Sequence, residues 1–468
     1  MIYLLYVVFS ALVALFLARQ TDKKLLSFML IMWLLAQPVI EAKFIIPLPG
    51  LPFELQPNRL LLLFSLAYLI WGMLLDSTKT TGKSPPFDKY IVIYFFLVVI
   101  SVVNNAEFIQ AKKEIFSAPL EIITFYLIYT MTKRHITEKV FQSLIKAIIF
   151  LSVVSAIIAI IQFTSDTMFL RTGQLLLAYG DKFRSTGIFQ SDYDQGYFQI
   201  LAIIITLIHY QNKWGKFIIT LLLALSVVLT FHRMDMIILY ACLVTYFAFF
   251  SGKKFSFAAI AMAIILPVIV VVSYSVYQSF GNSNAAVEER LKDDTVSGRF
   301  QQFNIVWESM SDYPLGMGSY TNPAYVDLMA KHGMMQWLPD ARGVSKPHPL
   351  GVHNGYLAAG ILYGFMAMSV FTLLFLAMLK YFKKAINPDL KYSLVPFYAV
   401  IIYILANLSN SISIFRAYFV LLIAIVCGSL VALGRRYADK QLKDTTLLAY
   451  SQQQTTNPKP TLTSGIRQ

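Results

Sequence analysis

Charge is what this sequence has least of: only 14% of its 468 residues are charged. Soluble chains carry about 25%. So little polar surface cannot coat a water-exposed fold, which excludes a soluble enzyme although the length alone would suit several soluble domains. Cysteine is almost missing as well. Cys242 and Cys427 both sit inside apolar runs, so a disulfide framework is excluded and thiol chemistry is not expected. Metal-binding spacings are missing too, with no HExxH and no CxxC. The Asp192-Tyr193-Asp194 triplet resembles an acid-x-acid metal motif but reads better as a structural or acceptor-contact loop. No metal and no cofactor is therefore expected, and no tandem or inverted repeat is visible.

What is present is apolar: 57% hydrophobic and 15% aromatic residues, with a mean hydropathy of +0.62. A membrane-spanning helix needs about 17–25 mostly apolar residues. Thirteen runs qualify: 2–18, 25–42, 60–76, 90–104, 115–132, 142–163, 196–211, 215–231, 234–251, 256–277, 355–379, 393–408 and 411–433. The sequence thus predicts an all-α polytopic membrane protein with about 12–14 transmembrane helices. The first run lacks a basic leader and a small-residue cleavage site, so it reads as an anchor rather than a signal peptide.

Net charge is +14, and its distribution orients the chain. Alternate short loops, such as those holding Lys133, Arg134 and Lys139 or Lys380, Lys383 and Lys384, carry roughly twice the basic residues of the opposite set. The positive-inside rule puts the richer set in the cytoplasm. Residues 1–277 then form N-terminal transmembrane helices with an external loop at 164–195, and 278–352 form a large extracytoplasmic loop. Residues 353–434 form C-terminal transmembrane helices, and 435–468 a cytoplasmic tail expected to be disordered. Within the large loop, Phe300, Phe303, Val306, Trp307 and Met310 fall at helical spacing and stop at Tyr313-Pro314. That pattern predicts an interfacial helix with Gln301, Gln302 and Glu308 facing water, or one packed on the other helices.

Arg184, Arg233, Arg299 and Arg342 bracket the long external loops. A guanidinium pairs with phosphate through a planar fork, so converging arginines suit a diphosphate. Any single one also suits a snorkelling or salt-bridged role, for example Arg233 with Asp235. His353 stands where the large loop re-enters the membrane, and a neutral imidazole there can take a proton from an attacking hydroxyl. His348, His332 and His232 are weaker candidates. Glu121 and Arg416 lie within apolar runs, where ionisable residues are costly and mark functional or paired positions. Gly316 and Gly318 after Pro314 read as a tight turn, since no GK[ST] follows to make a P-loop.

The strings SGRFQQFNIVWESMSDYPLGMGSYTN and HNGYLAAGILYGF resemble the signature of the O-antigen ligase/polymerase family of bacterial membrane glycosyltransferases. The pattern is an arginine, an aromatic-rich helix, a Pro-x-Gly-x-Gly turn, and a histidine-led helix with a downstream glycine. Here these are Arg299, Trp307, Pro314, Gly316, Gly318, His353, Asn354, Leu357 and Gly364. FRSTGIFQSDYDQG is similar to the family's Arg-x-x-Gly-x-Phe segment through Arg184, Gly187 and Phe189, with Ser-Asp-Tyr-Asp-Gln replacing the usual Pro-Asn. His232 precedes Arg233 where the family often has serine.

The resemblance implies a metal-independent, inverting glycosyltransferase of the GT-C type. Its donor would be a glycan on undecaprenyl diphosphate at the outer face of the bacterial inner membrane. Arg184, Arg233 and Arg299 would hold the diphosphate, with His353, Arg299 and Arg233 catalytic and Asn354, Arg416 and Glu121 supporting. The acceptor would be a second lipid-linked repeat unit (polymerase, the favoured reading) or a lipid A core sugar (ligase). The rival readings are a lipid-glycan flippase or other transporter, and a non-catalytic partner in export. Besides these glycans the expected partner is the bilayer, and nucleic acid is not expected.

Overall fold

The computed structural model describes residues 2–44, 46–47, 54–75, 84–109, 113–173, 175, 177–179, 182–250, 294–339, 345–387, 389–409 and 418–456. The expected span 256–277, Arg342, Arg416 and the end of the tail lie outside them. Twelve of the thirteen apolar runs are helices: α1 (Ile2–Arg19), α2 (Lys24–Lys43), α3 (Pro57–Leu75), α4 (Asp88–Asn104), α5 (Lys113–His135), α6 (Glu138–Thr164), α7 (Asp192–His209), α8 (Lys213–Val228), α9 (Arg233–Phe249), α12 (Gly355–Lys384), α13 (Leu394–Ser409) and α14 (Tyr418–Thr456). Between α9 and α12 come α10 (Asp294–Asp312) and α11 (Pro323–Lys331). Strands are limited, among the described residues, to three antiparallel ribbons: β1–β2 (46–47, 54–55), β3–β4 (177–179, 182–183) and β5–β6 (335–339, 345–349).

Among the described residues, seven helices are long and apolar enough to cross a membrane by length and composition: α1, α2, α3, α5, α6, α12 and α14. The remaining apolar helices run 16–18 residues, α7 with a polar first turn. The outer surface is itself apolar, with Leu5, Phe16, Trp71, Leu74, Phe96, Val103 and Phe217 exposed. In water such a surface would aggregate; lipid is its natural solvent. At the centre, the apolar part of α14 is almost wholly buried against α5, α13 and α7. The Tyr418 hydroxyl donates to the Leu34 carbonyl at 2.6 Å, tying α14 to α2.

The chain returns to the same two ends throughout. At one end Lys133 pairs with Asp88 at 2.6 Å, and His209 Nδ1 meets the Tyr392 hydroxyl at 2.7 Å. At the other end Tyr3 donates to the Arg171 carbonyl at 2.8 Å. Here lie the 165–191 segment, the α8–α9 turn and the region of α10, α11 and β5–β6.

The described part of the large segment has a small core of its own, in which Ile305, Val306, Met317, Tyr325 and Met329 pack on Ala358, Ile361 and Leu362 of α12. One structural device docks it. The backbone of α12 breaks at Gly364 (φ 87, ψ 169), a conformation essentially reserved for glycine. The exposed carbonyls of Ile361 and Leu362 accept the N–H groups of Met317 (3.0 Å) and Gly318 (2.7 Å), and Ser101 Oγ also donates to Leu362 at 2.9 Å. A helix break at membrane depth is tolerated when other protein groups satisfy the freed backbone. The Pro314–Gly318 turn does so here, with Gly316 and Gly318 both at φ +77. Asn105 Nδ2 donates to the Gly316 carbonyl at 3.0 Å, so α4 holds the same turn.

Two expectations change. The packed face of α10 is Gln302, Ile305, Val306 and Ser309, whereas Phe303 and Trp307 are exposed. Gln302 therefore does not face water; its side-chain oxygen accepts the His353 N–H. The α14 helix also runs on to Thr456, past the point where a disordered tail was expected. Residues such as Ala438, Lys440, Gln441 and Leu442 are good helix formers and extend it.

Candidate functional site

The site-bearing end is built first by the 165–191 segment. Gln162 of α6 organises it: its Oε1 accepts the Thr186 (3.1 Å) and Gly187 (3.0 Å) N–H groups, and its Nε2 donates to the Gly187 (2.7 Å) and Phe169 (3.0 Å) carbonyls. Arg171, almost fully buried, donates from Nε to the Thr167 carbonyl (2.8 Å) and from Nη2 to the Arg184 carbonyl (2.7 Å). It is a structural strut beneath Arg184, which sequence reasoning missed. An arginine next to a long loop gives no signal of which way it points.

Arg184 is half-buried, and its Nη1 pairs with Asp192 Oδ2 at 2.7 Å. Asp192 and Asp194 occupy the first turn of α7, where the helix dipole favours carboxylates. Ser191 caps that helix by accepting the Asp194 N–H at 3.1 Å, and its hydroxyl donates to Asp194 Oδ2 at 2.8 Å. With Thr186, Gln190 and Tyr193 these residues line a cleft of about 520 Å³.

The α8–α9 turn closes beside it. Phe231 adopts a positive φ of 51°, a conformation uncommon for a bulky residue. It is stacked 5.7 Å from Phe163. His232 caps α9, and its Nδ1 lies 2.6 Å from Asp235 Oδ1, whose residue is fully buried. Burial alone would lower the His232 pKa, but the Asp235 hydrogen bond and charge, with Asp192 adding, hold it above the usual histidine value. Asp235 thus pairs with His232, not with Arg233 as one sequence reading had it. The i, i+3 spacing across the cap aims the carboxylate back at the capping residue. A Cβ on Gly196 would sit 1.9 Å from Asp235 Oδ2, so α7 must carry glycine there. Arg233, the first residue of α9, is exposed.

His353 belongs to the other half of this end. It is exposed and directly precedes Asn354, whose Oδ1 caps α12 by accepting the Tyr356 (2.9 Å) and Leu357 (3.1 Å) N–H groups. Asn354 Nδ2 donates to the Leu408 carbonyl at 3.1 Å, joining α12 to the end of α13. The His353 N–H donates to Gln302 Oε1 at 3.0 Å. Arg299 lies in α10 three positions before Gln302, a spacing that puts the two positions on one helix face. Helix direction unites the halves. The far end of α12 leads to Lys391, which donates to the His209 carbonyl at the far end of α7, so residues 353 and 192 share the near end.

Glu121 is half-buried in α5. His332 Nε2 lies 2.9 Å from Glu308, which also pairs with Lys331 at 2.5 Å, so this histidine braces α10 against α11. His348 is exposed on β6. Among the described residues no group of three or more His, Cys, Asp or Glu is arranged to hold a metal ion.

Among curated proteins nothing matches this chain. Residues 218–372 match the family model described as O-Antigen ligase, a stretch running from α8 through the Arg233 turn, α10, the Pro314–Gly318 turn and His353 to the break in α12. Residues 218–372 are thus similar to the O-Antigen ligase family, and they belong to a chain of long apolar helices.

Proposed function

We propose that this protein is a membrane glycosyltransferase of surface-polysaccharide assembly. It transfers a glycan from undecaprenyl diphosphate to a hydroxyl of a glycan acceptor at the outer face of the cytoplasmic membrane. The observation that carries this reading is the shared end of Arg233 and His353 within the stretch that matches the O-Antigen ligase model. Arg233 and Arg299 bind the diphosphate and stabilise the negative charge that grows on it as it leaves. The acceptor oxygen attacks the anomeric carbon as the bond to the diphosphate oxygen breaks, the electron pair leaving with the diphosphate. His353 takes the acceptor proton, and attack from the face opposite the leaving group inverts the anomeric centre. Arg184 stands apart from this clamp, because Asp192 already balances its charge.

A transporter is the rival reading that the break in α12 brings to mind, since transporters bind solutes at broken helices. Here the Pro314–Gly318 turn takes up the carbonyls of that break, which leaves less there for a solute to bind.

Deletion of the gene with gel analysis of surface glycans tests the function. Single-repeat glycan on the lipopolysaccharide core is expected for a polymerase, our favoured form, and bare core with accumulated lipid-linked polymer for a ligase. Unchanged surface glycan refutes both. In the same strain His353→Ala should abolish product while the protein remains folded in the membrane; near-normal glycan would remove His353 from the chemistry.

A further inference from the structure

The cleft between the 184–191 segment and α7 is chemically unlike a diphosphate clamp. Its one described cation, Arg184, is already paired with Asp192 at 2.7 Å, and a second carboxylate, Asp194, lines the same space. A diphosphate entering here would meet two acidic side chains and one neutralised guanidinium. Yet the wall holds buried polar atoms that have no hydrogen-bond partner among the described residues: Arg184 Nε, Thr186 Oγ1 and Asp194 Oδ1. Thr186 is 2% exposed. Buried polar groups in folded proteins are nearly always satisfied, so three such groups on residues that line one cleft point to a ligand that satisfies them.

The three are complementary in kind. The guanidinium Nε–H only donates, an ionised carboxylate oxygen only accepts, and the hydroxyl does both. Tyr193 adds an aromatic ring and Gln190 an amide at the exposed rim. Alternating donors and acceptors beside an aromatic face, without net positive charge, suit a neutral polyhydroxylated ring. We infer that this cleft is a saccharide subsite, in which Thr186, Asp194 and Arg184 bond sugar hydroxyls and Tyr193 stacks on the ring. It is separate from the residues that hold the diphosphate. Only the origin of the sugar rests on the glycan-transfer reading; it comes from the donor or from the acceptor.

The test uses the full-length protein in lipid nanodiscs. The probes are the repeat-unit oligosaccharide released from the host's own surface glycan, the same oligosaccharide carrying a reducing-end diphosphate, and inorganic diphosphate. Binding is followed by saturation-transfer difference NMR, with thermal unfolding as the folding control. Thr186→Val and Asp194→Asn each remove or blunt one of the unpartnered groups and should weaken saccharide binding roughly tenfold, the worth of one buried hydrogen bond. Binding of inorganic diphosphate should not change. Should Thr186→Val fail to fold, Gln190→Ala at the exposed rim makes the same test. Weakening for the plain oligosaccharide assigns the cleft to the acceptor; weakening confined to the diphosphate-linked form assigns it to the donor sugar. Either result supports a saccharide subsite. Wild-type affinity for both oligosaccharides in every variant, no saccharide binding by the wild type, or an equal loss for inorganic diphosphate overturns it. The two readings fail separately. Unchanged glycan in the deletion strain sinks the polysaccharide role but leaves a saccharide cleft measured on purified protein standing. An altered deletion phenotype with unaffected binding in the variants sinks the cleft alone.

Discussion

Replacing Gly364 with alanine should undock the large segment from the bundle. A Cβ at this position would lie 2.2 Å from the Pro314 carbonyl oxygen and about 3 Å from the Leu315 backbone. The φ of 87° adds to the problem, because a non-glycine residue held there costs about 1–3 kcal/mol. The helix can relieve the clash only by pushing the 314–318 turn away. That stretches the bonds from Met317 and Gly318 to the Ile361 and Leu362 carbonyls, now 3.0 and 2.7 Å, each worth roughly 1 kcal/mol net. Strain and lost bonds together come to roughly 3–5 kcal/mol, concentrated at one joint. Hydrogen exchange read by mass spectrometry on protein in nanodiscs should show the 314–318 peptides losing protection while α5 and α14 keep theirs. Glycan transfer should fall with it, since His353 is held by Gln302 of the same segment. Gly434→Ala is the control, because a Cβ there meets nothing within 4 Å. Wild-type protection of 314–318 in Gly364→Ala would refute the docking argument.

Gln302→Leu keeps the volume but deprives the His353 N–H of its acceptor. The expected stability loss is about 1–2 kcal/mol, whereas transfer activity should fall by more than that implies because the imidazole is no longer positioned. An unchanged rate in folded protein would separate Gln302 from the chemistry. The His232–Asp235 pair should give the α8–α9 turn a pH dependence. The folded His232 pKa is raised, so its contribution is complete below the unfolded value of about 6.5 and is lost as pH rises through the folded one. Exchange at residues 230–236, corrected for intrinsic rates, should therefore speed up as pH increases above neutrality in the wild type and lose that trend in Asp235→Asn, which removes the carboxylate that holds the imidazolium. A flat profile in the wild type would contradict the assigned pairing.

Much of the bundle is legible in the sequence because lipid imposes a blunt rule: a helix that crosses it must be apolar over its length. Runs such as 142–163 and 196–211 therefore reappear as α6 and α7 within a few residues. Local signals worked where the chemistry is local. The helix in the large segment stops at Asp312, just before Tyr313-Pro314, and Asn354 caps α12.

Pairing was not legible, because it depends on direction and depth rather than on residue type. The carboxylate two residues after Arg233 turns instead to His232, whose Nδ1 lies 2.6 Å from its buried Oδ1. Arg184, read as a candidate phosphate ligand, meets Asp192, eight residues away, only because α7 begins there. Gln302, a polar residue on a helix expected to face water, is buried to hold His353. Gly364 read as a glycine downstream of a histidine motif, and only the folded chain reveals it as the gap into which Pro314–Gly318 fits. Composition and periodicity decided that the chain lives in a membrane and where its helices run, because hydrophobic transfer acts residue by residue. Which charges are neutralised, which polar atoms remain open to a ligand, and which glycine bears the joint were decided only by tertiary structure, because hydrogen bonds and close contacts depend on direction and depth, whether the partners are near in the chain, as Arg184 and Asp192 are, or far apart, as Ser101 and Leu362 are.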